Sequence, residues 1–336
     1  MIKYQIKKSN ISKKWDDFIK SHPRANSFQS SMFFNFYEKT NEFRPYYCLA
    51  FDMNNKLLGG FLFVIQRKGK SFPDRFFKRA LIIGGPIIPS NGERILEGLL
   101  KVFNDFTHRK AIYSEVRNLH SWSHHTDVFL RNGFKYEAHL NYQIPLANRD
   151  VVAGFSKSKK RQIKKGLQNG AIIIKNPDIV QVREFYMILT KLYTERINKP
   201  LPDWSFFQNF YEIVVKGGGG KYLLVHYKGK IIGGIMLPFF QKKMVYEWYV
   251  AGLDQQYKKI YPSVLATWAG IEFAMENGFT GFDFMGAGIP TRAYGVREFK
   301  SKFGGRMLNY GRFVNSNFKF FHSIIKMFLK IYAKNA

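Results

Sequence analysis

Cysteine is almost missing from this chain: Cys48, in the strand-like run YYCLAF, is the single thiol in 336 residues. One thiol closes no internal disulfide and builds no cysteine zinc site, so it reads as a small buried apolar residue and points to a reducing compartment. Long apolar runs are missing too, and none reaches the ~18 residues that a membrane-spanning helix requires. The segment MIKYQIKKSNISKKW (1–15) carries basic residues with no apolar stretch after them, so it is not read as a signal peptide. The expected location is the cytoplasm, with peripheral contact at the inner membrane face left open. The sequence has no G-x-x-x-x-G-K-[ST] phosphate loop, no G-x-G-x-x-G after a strand and no G-x-S-x-G nucleophile elbow. His120 and His124 stand four apart in HSWSHH without a cysteine or paired carboxylates beside them, so no metal is expected. No resident cofactor is expected either.

Acidic residues are scarce: 24 Asp and Glu face 53 Lys and Arg, a net charge of +29. Such an excess implies a polyanionic partner, which could be nucleic acid, a diphosphate-bearing substrate or an anionic membrane face. Apolar residues, by contrast, make up 46% and aromatics 17%. That is enough to build real cores, and it argues against disorder over most of the length. At roughly 100–200 residues per domain, two domains are expected.

Two short repeats occur in the same order. NKLLGGFLFVI (55–65) resembles GKIIGGIMLPFF (229–240), and each follows a strand-like run, so each reads as a hairpin with glycine-containing strands. FLRNGFKYE (129–137) resembles AMENGFTGFDF (274–284). In both, a helix stops at Asn-Gly and a strand follows. The pattern predicts a duplicated α+β domain with halves meeting near residue 150. Ser90 and Glu93 fit a capping box before an amphipathic helix. Pro262 suits the first turn of a helix running to about Asn277. SKSKKRQIKKGLQNG (156–170) reads as a short basic helix closed by Asn169-Gly170, with Ile163 and Leu167 as its apolar pair. The tail FKFFHSIIKMFLKIYAKNA (318–336) reads as a basic amphipathic helix that packs back on the protein or lies on a membrane.

Hairpin, helix and strand in this order raise the acyl-CoA N-acyltransferase (GNAT) fold. Its enzymes hold the coenzyme A pyrophosphate on backbone amides at a helix start, over a glycine-rich turn. The corresponding turn here, GLDQQYKKIYPS (252–263), carries Tyr257, Tyr261 and Pro262 where glycines are expected. An acyl donor other than acyl-CoA is therefore expected.

The segments SKKRQIKKGLQNGAIIIK (158–175), YKKIYPSVLATWAGIEFAMENGFTGFDFMGAG (257–288) and above all YGVREFKSKFGGR (294–306) resemble the FemABX family of peptidoglycan interpeptide-bridge aminoacyltransferases. FIKSHPRANSFQSSMFFNFYEK (18–39) and LIIGGPII (81–88) extend the likeness into the first half more loosely. The resemblance implies two tandem GNAT-like domains, each a mixed central sheet flanked by helices. They would span residues 1–150, completed by the helix 318–336, and residues 151–317. No coiled-coil arm is present, so the compact members are matched. The resemblance also implies an aminoacyl-tRNA donor as co-substrate, a peptidoglycan precursor as acceptor, nucleotide-linked or lipid-linked, and a monomer. The implied reaction is direct attack of a stem-peptide amine on the aminoacyl ester. An acyl-CoA N-acyltransferase and a non-catalytic RNA- or membrane-surface-binding protein are the alternatives.

The resemblance places Phe299 and Lys300 at the reaction centre, with Lys300 stabilising the oxyanion. It also gives the region of Arg196 a role in holding the precursor. Tyr193 and Arg196 stand three apart on a helix and are expected to share a face. Strand alternation in MVYEWYVAG sends Tyr246, Trp248 and Val250 to one face and Glu247 and Tyr249 to the other. Tyr249 is then a hydrogen-bond donor to substrate and Glu247 a proton acceptor. Tyr294 and Phe299 are placed to stack on a sugar or base, and Arg297 to contact a diphosphate or tRNA. Asp283 reads as capping the turn after its strand. Lys159, Lys160, Arg161, Lys164 and Lys165 are the expected tRNA contacts.

Overall fold

The computed structural model describes residues 1–9, 11–67, 77–147, 150–197 and 200–316. The helix expected over 318–336 lies outside the described residues. Along the chain run β1 (Lys3–Lys7), α1 (Ser12–Lys20), α2 (Ser31–Lys39), β2 (Phe43–Phe51), β3 (Leu57–Arg67), β4 (Lys78–Ile83), α3 (Glu93–Thr107), β5 (Tyr113–Arg117), α4 (Thr126–Arg131), β6 (Lys135–Glu137) and β7 (Leu140–Pro145). Then follow α5 (Lys157–Gln168), β8 (Ile172–Ile174), α6 (Ile179–Leu192), α7 (Trp204–Asn209), β9 (Gly220–Tyr227), β10 (Lys230–Phe240), β11 (Met244–Tyr246), β12 (Tyr249–Gly252), α8 (Pro262–Glu276), β13 (Gly281–Gly286), α9 (Gly295–Ser301), β14 (Arg306–Asn309) and β15 (Arg312–Ser316).

The chain divides into two compact units, residues 1–138 with 310–316, and His139–Asn309. The boundaries expected at 150 and 317 therefore fall at 138 and 309. Strand pairing is the reason. β7 follows the first half in sequence yet pairs with β13 and β14. β15 follows the second half yet pairs with β5 and β6. Each half of the sequence gives its last strand to the other sheet.

The first unit has a sheet of order β1-β2-β3-β4-β5-β15-β6, antiparallel throughout except for the parallel pair β4–β5. Leu96, Leu99, Leu100 and Phe103 recur on one face of α3 and are fully buried with Cys48, Phe61 and Phe63. Cys48 is thus interior, and burial pushes its thiol pKa up. The Ser90–Glu93 capping box does not form: Gly92 occupies the cap position with no side-chain hydrogen bond. The Gly92 amide instead closes a turn on the Pro89 carbonyl, which brings the chain into the helix two residues later.

The second unit has the order β14-β7-β13-β11-β10-β9-β8, with β12 also paired to β10. The duplicated hairpins are β2–β3 and β9–β10. The Asn-Gly stops hold as well, Gly133 and Gly278 taking φ of 83° and 68° after α4 and α8. α8 lies on the sheet face of Ile235 and Leu237, and α6 puts Phe185 against Gly234 on the other face. Pro262 is at the first turn of α8. α5 starts at Ser156, whose hydroxyl accepts the Lys159 amide at 3.3 Å, and ends at Asn169. Its apolar contact differs from expectation: Ile163 is buried but Leu167 is exposed. Gly166 takes the inward position instead. A Cβ there would stand 2.4 Å from the Ile260 carbonyl oxygen, so only glycine lets α5 approach α8 this closely.

Candidate active site

β11 and β12 are one strand broken at Glu247 and Trp248. The Glu247 amide bonds the Asp283 carbonyl of β13 at 2.8 Å, and the Trp248 amide bonds the Met236 carbonyl of β10 at 3.0 Å. β11 runs parallel to β13, whereas β12, among the described residues, pairs with β10 alone. The sheet therefore forks at Glu247. The break also overturns the expected alternation. Trp248 and Tyr249 both pack on Phe206, with ring centroids 5.1 and 5.9 Å away. Glu247 turns instead toward α8, where Thr267 donates its hydroxyl to Oε2 at 3.2 Å.

Lys300, on α9, reaches the same fork. Its buried ammonium donates to the Phe284 carbonyl at 2.5 Å and the Gly286 carbonyl at 3.0 Å. It lies 3.6 Å from Glu247 Oε1. Asp283 sits beside them, accepting from Asn141 at 3.1 Å, Gln143 at 2.8 Å and the Met285 amide at 2.5 Å. The last bond lies within β13, at the irregularity where its pairing with β7 shifts register, so Asp283 does not cap a turn after the strand as the sequence suggested. Met285, inside β13, and Gly288, beyond it, have positive φ, 56° and 80°. Two carboxylates and one ammonium thus share a buried site. Burial pushes Glu247 up to about 7, with Lys300 and Thr267 pulling against it. Burial also raises Asp283 and lowers Lys300, and the carboxylates oppose the latter shift. A carboxyl poised near 7 can exchange a proton at neutral pH.

Tyr193 and Tyr249 meet beside the fork. The rings of Tyr193 and Tyr249 are 6.3 Å apart. Burial, and then Tyr294, push the Tyr193 phenol up to about 12. Arg196 does not share a face with Tyr193: it is exposed while Tyr193 is half-buried. Both belong to a π-helical turn, Tyr193–Ile197, whose wider winding breaks the three-residue register. Arg297 is committed to its own loop, donating from Nε to the Ala287 carbonyl at 2.9 Å and from Nη2 to the Ile289 carbonyl. Phe299 is half-buried and packs edge-on against Phe303 at 5.4 Å. Chain reversal after α9 uses Gly304 and Gly305, with φ of 76° and 88°.

On α5, Lys157, Lys160, Arg161, Lys164 and Lys165 are exposed, but Lys159 is buried. Its ammonium lies 4.0 Å from the Phe299 ring centre and 5.1 Å from that of Phe303. Burial, with Lys302 adding to it, brings its pKa down to about 8. Lys159 therefore does not belong to the solvent-facing cationic set. Its ammonium is held over the two rings, whose faces attract a cation. The Ser156 amide also bonds the Lys302 carbonyl at 2.9 Å, so α5 and α9 are joined at both backbone and side chain.

The start of α8 is where a coenzyme A pyrophosphate would sit in this fold. Tyr261 takes the left-handed conformation, φ 59°, so the turn keeps a glycine-type backbone without a glycine. Pro262 has no N–H to offer, and the Ser263 amide is taken by Asp254 Oδ1 at 3.1 Å. An in-chain carboxylate thus stands at the positive end of α8, where it repels a second anion. The sequence reading missed Asp254. The signal was there: Tyr261 is a poor cap, and the nearest upstream Asx residue is Asp254. Thr267 and the inward turn of Lys159 were also missed, and no local pattern announces either.

Residues 153–301 match the model of the acetyltransferase (GNAT) domain family. Lys159, Glu247, Asp283 and Lys300 all fall within that match. No curated protein sequence matches this one significantly. Among solved structures, one described as FemX superposes with a TM-score of 0.72 at 16% identity, covering 96% of this chain and 99% of that one. L-PGS from Bacillus licheniformis gives 0.61 at 10% identity, with 96% and 97% covered. A tandem GNAT protein from the clavulanic acid biosynthesis pathway gives 0.58 at 9% identity, with 95% and 99% covered. At these identities the shared property is the fold. No helix among the described residues is long and apolar enough to cross a membrane.

Proposed function

From a tandem GNAT fold of the FemABX type, we propose that this chain is an aminoacyltransferase. It would move an amino acid from aminoacyl-tRNA to a stem-peptide amine of a peptidoglycan precursor. The observation that carries this reading is the junction of α5 with α9. A helix presenting five exposed cations is locked, through Lys159 and the Ser156–Lys302 bond, to the helix that bears Lys300. A polyanion bound along α5 would lie against the element that supports the charged fork. The net charge of +29 fits such a donor.

The chemistry follows from the residues at the fork. The acceptor amine attacks the ester carbonyl carbon, forming the C–N bond. Glu247 takes the amine proton, for which a carboxylate poised near 7 is suited. Lys300 supplies a fixed positive charge for the tetrahedral oxyanion, a role worth about 3–4 kcal/mol for one such donor. The C–O bond to the ribose then breaks, and the leaving oxygen takes up a proton. Tyr193, Tyr249, Tyr294 and Phe299 would seat the reactants, and Arg196 is the exposed cation available to a diphosphate. No covalent enzyme intermediate is required. The match to an acetyltransferase family model favours one rival, an acyl-CoA donor; Asp254 at the α8 start opposes it.

The test is to incubate the protein with charged total tRNA and either nucleotide-linked or lipid-linked precursor, and to identify the product by mass spectrometry. A precursor heavier by one aminoacyl residue, formed only with intact tRNA, is expected. Transfer that survives complete RNase digestion and needs an acyl thioester would replace this reading with the rival.

A further inference from the structure

Four consecutive glycines, 217–220, stand between Lys216 and Lys221. They end the π-helical turn Phe210–Val215: the amides of Gly217, Gly218 and Gly219 bond the carbonyls of Ile213, Val215 and Val214 at 3.2, 3.0 and 2.8 Å. Those amides are spent on the chain itself, so the run is not a phosphate loop. Gly218 reverses the chain with φ of 77°, and a Cβ on Gly220 would meet Phe210 Cζ at 2.5 Å. The tight return brings both flanking lysines to the wall of one cavity. It measures about 250 Å³ and opens in the second unit between residues 175–178, the π-helical turn and the start of β9. It shares no lining residue with the fork.

Lys175, Lys216 and Lys221 bring three ammoniums to this cavity, against one carboxylate in its wall, Asp178. The lysines differ. Lys175 is paired with Glu276 at 2.8 Å and Lys216 with Glu212 at 2.5 Å, both in exposed pairs that a competing anion displaces easily. Lys221 is half-buried, and its ammonium donates to a neutral partner, Asn176 Oδ1, at 2.6 Å. Burial alone pulls its pKa down, with no carboxylate of the described residues acting on it. The bond also orients the Asn176 amide and leaves Nδ2 to donate. Asp178 accepts the Gln181 amide on Oδ1 at 2.8 Å, which leaves Oδ2 to accept. Tyr211 and Val215 add carbon surface to the wall.

Three ammoniums and an amide N–H call for an anion with several oxygens. A phosphate monoester carries close to two charges and three acceptor oxygens at neutral pH, where a carboxylate has one charge and two oxygens. Asp178 repels a second anionic group and calls for hydroxyl donors instead. The volume lies below the roughly 300 Å³ at which pockets for drug-sized ligands begin, so the ligand is small. We propose that Lys175, Asn176, Asp178, Lys216 and Lys221 form a site for a small phosphorylated polyol. The phosphate sits on the lysines, the hydroxyls face Asp178, and the carbon skeleton lies on Tyr211 and Val215. The site goes beyond the proposed transfer and holds whatever the acyl donor is.

The test uses the full chain in physiological salt, with no donor. Glycerol 3-phosphate, glycerate and inorganic phosphate are titrated by calorimetry, and the amide resonances of residues 216–221 report where each binds. Glycerol 3-phosphate is expected to bind and to shift those resonances. Glycerate should bind about tenfold or more weaker, as the loss of a charged hydrogen bond implies. Inorganic phosphate should be weaker by about threefold or more, the worth of a neutral hydrogen bond to a hydroxyl. Lys221→Met should weaken glycerol 3-phosphate by about tenfold. Glycerate or inorganic phosphate as tight as glycerol 3-phosphate, or no binding at all, would overturn the proposal. So would unmoved resonances at 216–221 with shifts centred on α5, the mark of diffuse attraction to a chain of charge +29. The ligand comparison uses the unaltered chain, so it decides even where Lys221→Met fails to fold. Failure here leaves tRNA-dependent transfer untouched, and failure of transfer leaves this binding untouched.

Discussion

Lys300 Nζ lies 3.6 Å from Glu247 Oε1 while donating to the carbonyls of Phe284 and Gly286. One side chain of α9 thus ties the end of β13 to the fork between β11 and β12, and holds a positive charge where the sheet opens. Lys300→Met should leave two buried carbonyls short of a donor and lower stability by about 1–3 kcal/mol. Transfer, assayed well below the melting temperature, should fall about 100- to 1,000-fold. If folded Lys300→Met transfers at the wild-type rate, the lysine is a tether and nothing more.

Glu247 gives the reaction a pH dependence. Its folded value near 7 exceeds the ordinary 4.5, so the folded state holds an extra proton between those two values. Its contribution to stability is present below about 4.5 and is lost as pH rises through 7. Activity runs the other way: the carboxylate needed as base is depleted below 7, so the rate should fall as pH drops. Glu247→Gln should remove both trends. A carboxyl resonance titrating near 4.5 would dismiss the proposed base.

Exposed and buried cations on α5 should separate cleanly. Alanine at Lys160, Arg161, Lys164 or Lys165 should weaken tRNA binding and reduce the slope of log affinity against log salt by up to about 0.7–0.9 per lost phosphate contact. Lys159→Met should leave that slope unchanged but loosen Phe299, seen as a drop in transfer at saturating tRNA. An unchanged salt slope in a quadruple variant of the exposed set would remove α5 from the tRNA site.

Gly166→Ala should force α5 away from α8, since its methyl would stand 2.4 Å from the Ile260 carbonyl. A loss of about 1–3 kcal/mol is expected from overpacking, measured by denaturant unfolding. A neutral result would mean that the two helices slide apart freely.

Asp254→Ala should bare the Ser263 amide and lower the stability of α8 by about 1 kcal/mol, the usual worth of a helix cap. In the unaltered chain, calorimetry should detect no coenzyme A binding. Tight binding of coenzyme A would overturn the argument against a thioester donor.

The sequence by itself determined the elements whose causes are local. The paired hairpins, the Asn-Gly helix stops, Pro262 at the head of α8 and the basic helix before residue 170 all follow from turn chemistry and periodicity, which act within a few residues. The Asp283 bond was legible in part: an Asx side chain bonds the amide two residues on, but here inside β13 and not in the turn after it. Tertiary structure decided what depends on distant partners. β7 and β15 exchange sheets because pairing reaches across more than a hundred residues, beyond any periodicity. Lys159 turned inward because Phe299 and Phe303 lie beneath it, and a run of lysines does not say which one meets a ring. Glu247 and Tyr249 parted because the strand breaks between β13 and β10, whose competing carbonyls the sequence does not place side by side.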